Sequence, residues 1–304
     1  MYNEQQKMQF IREKKQNASI AQNLENCFKE AEPREERYGR DISEWSTAEI
    51  IDFYKWKSTP YIQSLVALNN SLEIYTNWCI LNGLVADNQN HFHELKSVSL
   101  CKCIDFEKLK RLVIKRDELL EEIHHLDNAQ DQFIFLGIFE GIPVADNVLY
   151  NVKLSDLNGD VLKLSNGNSL KVSKELVHIM NLADEETTYM LLGRGKALVE
   201  VPTISRKEII RPADRKRKND INPVIYIGGR IRKLSSELGL SDNITIKTIS
   251  ESGRIYFIRE LMEKYHITAK DAISEYKSLH ENIYGKLQNV STYIETYGKI
   301  IGEL

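Results

Sequence analysis

The residues in this 304-residue chain whose types and spacing could do chemistry are mostly cations crowded into one stretch. Residues 201–250 carry 11 Lys or Arg against 5 Asp or Glu, although the whole chain has a formal net charge of −3. The cations are Arg206, Lys207, Arg211, Arg215, Lys216, Arg217, Lys218, Arg230, Arg232, Lys233 and Lys247. A basic face on an otherwise acidic molecule can hold a polyanion while the rest repels it and limits stray contacts. The chemistry indicated is contact with phosphates. A solvated loop is the plainer reading of Arg215 to Lys218 taken alone, because such runs arise often by chance.

A second polar group lies near Pro60: Lys55, Lys57, Ser58, Thr59, Gln63, Asn69 and Asn70. Amide side chains can read adenine edges in a major groove, so Gln63, Asn69 and Asn70 are candidate base contacts. Other constellations carry less. Cys101-x-Cys103 with His91 and His93 has too short a spacing for a paired thiolate site, and no second cysteine pair follows, so no metal is expected. Gly193-Arg194-Gly195-Lys196 lacks the spacing of a phosphate-binding loop. His124 and His125 beside Glu121 and Glu122 read as an exposed helix face.

The elements that must position these residues are mostly helices. Residues 1–33 show sparse helical periodicity, with Pro33 as the stop and a charged connector after it. Ser46-x-x-Glu49 is a capping box ahead of Ile50, Ile51, Phe53 and Tyr54. Leu65, Leu68, Leu72, Tyr75 and Cys79 recur at helical spacing up to Asn82-Gly83. A new unit is expected from residue 105, giving domains 1–104 and 105–304. Its parts are one or two short helices to Ile123, an apolar helix over 132–141, and a hairpin with a two-residue turn at Asn166-Gly167. A helix from Lys174 to Leu182, a further helix over Glu186 to Leu192 and a short strand from Ala197 to Val201 follow. Helices are then expected over 225–238 and 245–265, with two more after them. The fold class is therefore mainly α with a small β-hairpin sheet.

Hydrophobic residues are 42% of the chain and charged residues 28%, enough apolar content for packed cores and against global disorder. No apolar run approaches the roughly 18 residues of a membrane span. The opening MYNEQQKMQFIREKKQ has no uninterrupted apolar core, so no export signal is expected, and the four cysteines read as reduced thiols.

In order and spacing, these segments resemble the tyrosine recombinase (phage integrase) family. DISEWSTAEIIDFYKWKS and TPYIQSLVALNNSLEIYTNWCILNGLV are similar to its helical core-binding domain. FIFLGIFEGIPVADNVLYNVKLSDL resembles the box holding its first catalytic arginine, and GRIRKLSSELGLSDNITIKTISESGRIYFIRELMEKYHI its histidine–arginine box. The resemblance implies a two-domain clamp on duplex DNA, in which a tyrosine attacks a phosphodiester and two arginines neutralise the phosphate. A lysine protonates the leaving oxygen and histidines assist.

Most of those parts are absent. The first arginine falls on Pro143, with Asp146 kept as the acidic residue three positions on. The hairpin lysine falls at Ser165-Asn166-Gly167-Asn168, which has no base. The His-x-x-Arg pattern becomes Glu251-Ser252-Gly253-Arg254, and Lys286 stands near the last histidine position. Tyr297 sits where the nucleophile would be, with Tyr293 as a competing register. The expectation is a DNA-binding regulator, not an enzyme and needing no cofactor, and the resemblance implies that it works in the bacterial cytoplasm as a phage repressor. Its expected partners are operator DNA and, as a second candidate, another phage regulatory protein. Arg254, Lys247, Ser250 and Ser252 on the second-box helix join the basic stretch as expected DNA contacts. Two alternatives stay open: an active recombinase using Tyr297, and an interaction protein of a phage decision circuit.

Overall fold

The computed structural model describes residues 1–14, 18–192, 198–213, 222–240, 244–284 and 289–303. Contacts divide the chain into Met1–Lys110 and Arg111–Leu304. The division falls a few residues beyond 104 because Asp105 is tied backwards. Its N–H donates to Thr59 O at 2.9 Å and its carboxylate accepts from Ser58 Oγ.

The first unit contains α1 (Glu4–Glu13), α2 (Ala18–Tyr38), α3 (Thr47–Lys57), α4 (Ile62–Leu81), a single turn α5 (Ser97–Leu100) and α6 (Phe106–Arg111), which ends at the division. Ser46 caps α3 in a complete capping box with Glu49. The core joins Phe10, Phe28, Trp45, Phe53, Tyr54, Leu72 and Tyr75. Pro33 does not end the second helix; it lies inside α2. A proline there forfeits one backbone bond and costs about 3 kcal/mol. The helix continues because its buried face runs on through Ala31 to Glu35. Glu35 accepts Lys7 Nζ at 2.5 and 2.6 Å, with both side chains fully buried. Asp41 lies 3.5 Å from the same ammonium and accepts Tyr75 OH at 3.0 Å. Burial of Phe10 and this ionic triad fix α1 to the bundle.

The second unit begins with α7 (Arg116–Ile123) and α8 (Ala129–Phe139). A three-stranded antiparallel sheet follows, β1 (Leu157–Asn158), β2 (Val161–Lys163) and β3 (Ser169–Lys171), in that spatial order. Then come α9 (Lys174–Glu185), the hairpin β4 (Thr188–Leu192) and β5 (Leu198–Pro202), α10 (Pro223–Glu237), α11 (Ile246–Tyr265), α12 (Ala269–Tyr284) and α13 (Val290–Glu303). Every residue from Phe133 to Phe139 is buried, and a helix apolar on all sides belongs at the centre. α7, α9, α10 and α11 pack around α8.

Two local expectations are corrected. Residues 188–192 form a strand, not a helix. Thr187, Thr188 and Tyr189 favour an extended chain, and β4 pairs with β5 from Thr188↔Pro202 to Leu192↔Leu198. The hairpin turn holds three residues, 165–167, between Leu164 and Asn168, not two. Leu164 N–H donates to Asn168 O at 2.8 Å and Gly167 N–H to Leu164 O at 2.9 Å, with Gly167 at φ 87°. That left-handed residue is what a three-residue hairpin loop needs.

All four cysteines are free and buried, and all lie in the first unit. Among the described residues no helix is long and apolar enough to cross a membrane, and no group of three His, Cys, Asp or Glu could hold a metal.

Candidate nucleic-acid interface

Thr245 starts α11, accepting from Thr248 N–H at 3.2 Å while Thr248 Oγ1 accepts from Thr245 N–H at 2.7 Å. This cap fixes the register of Glu251-Ser252-Gly253-Arg254, and each of the four has a defined task. Glu251 accepts Arg254 Nη1 at 2.7 Å with one oxygen and Tyr293 OH at 3.2 Å with the other. Ser252 Oγ accepts Ile114 N–H at 3.0 Å and donates to Thr248 O at 2.8 Å. Gly253 lets α11 approach α8: a Cβ there would sit 1.7 Å from Phe139 O.

Arg254 is closed in by aromatic rings. Its guanidinium carbon is 5.9 Å from the ring centres of Tyr276 and Tyr293. Burial works against its charge, yet Glu251 and the two tyrosine hydroxyls more than offset this and raise its pKa. Tyr293 packs on Tyr297 with ring centres 4.6 Å apart and the rings tilted by 35°, and both tyrosines are buried. Burial first, then the Glu251 carboxylate, push the Tyr293 phenol well above its ordinary range. α13 is thus held against α11 by a hydrogen bond to the residue that stands at the histidine position.

Pro143 lies just beyond α8, and its carbonyl accepts Leu149 N–H at 2.9 Å. Asp146 and Asn147 both take left-handed backbone conformations, with φ 54° and 60°. Asn166 is at the hairpin tip, its amide oxygen accepting Asn168 N–H at 3.1 Å.

The basic stretch separates into structural and exposed cations. Arg230, expected as a DNA contact, is buried. It pairs with Asp131 and lies over Tyr189 at 4.6 Å and Tyr226 at 5.3 Å. Asp131 also accepts Tyr189 OH at 2.7 Å, so the pair joins α8, β4 and α10. Arg206 binds Glu208 at 2.8 Å and Tyr150 O at 3.2 Å, with its guanidinium 4.1 Å from the Tyr150 ring. Arg211 donates to Ala183 O and Asp184 O, closing the end of α9. Lys233 lies 3.7 Å from Glu237. Lys207, Arg232 and Lys247 are exposed, and Ser250 is half-buried. Arg215, Lys216, Arg217, Lys218 and Lys286, with the Gly193–Lys196 segment, lie outside the described residues.

Two further expected contacts are corrected by burial. Ser252 is enclosed between Ile114 and Thr248. Asn69 is buried, accepting Tyr54 OH at 3.1 Å and donating to Phe92 O at 3.1 Å. Gln63, Asn70 and Lys55 are exposed on the first unit. Lys57 pairs with Glu30, and Thr59 Oγ1 accepts Tyr61 N–H at 3.3 Å. Sequence reasoning missed the roles of Glu251 as a tether and Gly253 as a contact point. The glycine was a readable signal, since it costs about 1 kcal/mol inside a helix unless packing requires it.

Comparison with known proteins places both units. Residues 1–81 match the family model described as "MrpR, N-terminal core-binding domain", and residues 113–293 match "MrpR, C-terminal catalytic domain". The chain is also 26% identical over 249 residues to the SPbeta prophage-derived uncharacterized protein YopR of Bacillus subtilis (strain 168). That match covers 78% of this chain and 76% of the relative.

Proposed function

Since the chain belongs to the MrpR family, we propose that it is a sequence-specific DNA-binding regulator that has lost strand-cleavage chemistry. The observation that carries this reading is Glu251. At a position where the recombinase chemistry calls for a histidine, a carboxylate engages both Arg254 and Tyr293. A phosphate approaching Arg254 meets a guanidinium already paired and a carboxylate that repels it. Pro143 supplies no second clamp and residues 165–168 no base. Each lost transition-state contact commonly costs about 3–4 kcal/mol of barrier, and several are lost together.

Binding can persist without this chemistry, because phosphate contact needs only accessible cations. Lys207, Arg232, Lys233 and Lys247 are the described cations of the basic stretch that face solvent, and Lys55, Gln63 and Asn70 supply exposed polar groups on the first unit. In the proposed role the protein holds a prophage silent from operator sites on bacterial DNA, in the cytoplasm. The family assignment and the prophage origin in the relative's name support that context.

A nicked duplex that traps covalent intermediates tests the reading, using target DNA found by genome-wide mapping of bound sites. Salt-dependent binding is expected with no covalent adduct, and Pro143→Arg alone should not create one. An adduct formed by the wild type and abolished by Tyr297→Phe would overturn the proposal.

A further inference from the structure

On the second unit, a cleft of about 450 Å³ is lined by residues other than those of the Glu251–Arg254 cluster. Phe139, Leu170, Tyr256 and Phe257 give it an apolar lining, and Arg116, Glu140 and Glu260 are its charged groups along with Lys171. Its size is in the range that accepts a few side chains.

One wall of the cleft is the edge strand β3. In the sheet order β1-β2-β3, no described strand pairs with its outer side. Val172 N–H donates to Asp160 O and Leu164 N–H to Asn168 O. Leu170, paired with Leu162 between them, therefore also turns its backbone groups towards β2. Antiparallel alternation then turns the N–H and C=O of Ser169 and Lys171 outward. The next N–H, of Ser173, is taken by Glu140 at 2.9 Å, so the open edge stops there.

The charge around the cleft is unbalanced. Arg116 is shared between Glu140 at 3.7 Å and Glu175 at 3.1 Å. Lys171 is offset by Asp160 at 3.2 Å. Both lining cations are thus already paired, whereas Glu260 is an exposed carboxylate with no ion pair among the described residues, so the uncompensated charge is negative. An open strand edge beside an apolar, acidic cleft is complementary to an extended, basic segment carrying a large apolar side chain.

We propose that β3 and this cleft form a docking site for an extended basic peptide segment of a partner protein. The segment adds as a strand beside Lys171 and places an aromatic or aliphatic side chain against Tyr256 and Phe257. The proposal does not depend on DNA binding.

The test uses the full chain and a labelled, end-blocked peptide, Lys-Val-Lys-Phe-Lys-Val-Lys, with a twin carrying Glu for every Lys. Saturable binding of the basic peptide is expected, with the acidic twin at least roughly tenfold weaker. Lys171→Pro removes an outward N–H that β2 does not use, and edge strands tolerate proline. It should abolish binding with the circular dichroism unchanged. Glu260→Arg, an exposed change, should weaken binding several-fold and serves if the proline variant misfolds. Equal binding of both peptides, or binding unaffected by Lys171→Pro and Glu260→Arg, would overturn the proposal. So would sedimentation showing a dimer that Lys171→Pro dissociates, because a second copy would then be the occupant.

Discussion

α1 and α11 are each the anchored helix of their unit, and they are anchored by opposite means. α1 is held by charge: Lys7 is enclosed with two carboxylates, Glu35 and Asp41, none of them exposed to water. α11 is held by a missing side chain: Gly253 brings its backbone against Phe139 O, and Ser252 ties it to Ile114. An ionic anchor responds to proton concentration and is strong only while every partner is present. A steric anchor is indifferent to pH but tolerates no added atom.

The largest effect should come from breaking the steric anchor. In Gly253→Ala the new methyl would collide with backbone, which cannot rotate away as a side chain could. A loss of more than about 4 kcal/mol is expected in the second unit. Hydrogen exchange should show α8 and α11 unprotected while α2 and α4 stay protected.

Next comes Lys7→Met, which leaves two buried carboxylates without their cation. Breaking a buried pair in this way costs about 3 kcal/mol. Denaturant unfolding followed by Trp45 and Trp78 fluorescence would measure it, and a change confined to α12 and α13 would contradict the assignment.

A smaller effect sharpens the contrast through pH. Burial, partly offset by Lys7, pushes the Glu35 carboxyl from 4.5 up to about 7. Between those values the folded chain keeps a proton that the unfolded chain has released. Stability of the first unit should therefore fall as pH rises from about 4.5 to about 7. Glu35→Gln should flatten the profile. If the slope survives that change, it arises elsewhere.

The smallest expected effect is at the α11–α13 tether. Tyr293→Phe removes one hydrogen bond to Glu251, about 1 kcal/mol. Local exchange in α13 should rise, with DNA affinity unchanged.

The parts of this fold legible in the sequence are those fixed by neighbours along the chain. The Ser46–Glu49 box, the end of α4 at Leu81 and the apolar α8 all follow from local chemistry. Pro33 misled because its helix is kept by a partner 28 residues away in sequence, Glu35 meeting Lys7. Residues 188–192 misled because their strand depends on pairing with β5. The candidate site divides in the same way. The Glu251-x-x-Arg254 pattern was readable, with Tyr293 only as a competing register to Tyr297, but Arg230, Asn69 and Ser252 could not be recognised as interior groups. Their partners Asp131, Tyr54 and Ile114 are distant in sequence, and a basic or amide side chain looks alike inside and outside until its partner is known.

The uneven placement of the thiols has a practical consequence. Every thiol belongs to the first unit and is buried, and burial pushes Cys27 up to about 12 and Cys79 up to about 11. Only the thiolate attacks an alkylating reagent, so the folded first unit should be nearly inert to one. The second unit has no cysteine to modify, and its own opening leaves no covalent mark. Alkylation rates on the unaltered chain would therefore clock the opening of one half of the molecule alone, with the other half chemically silent.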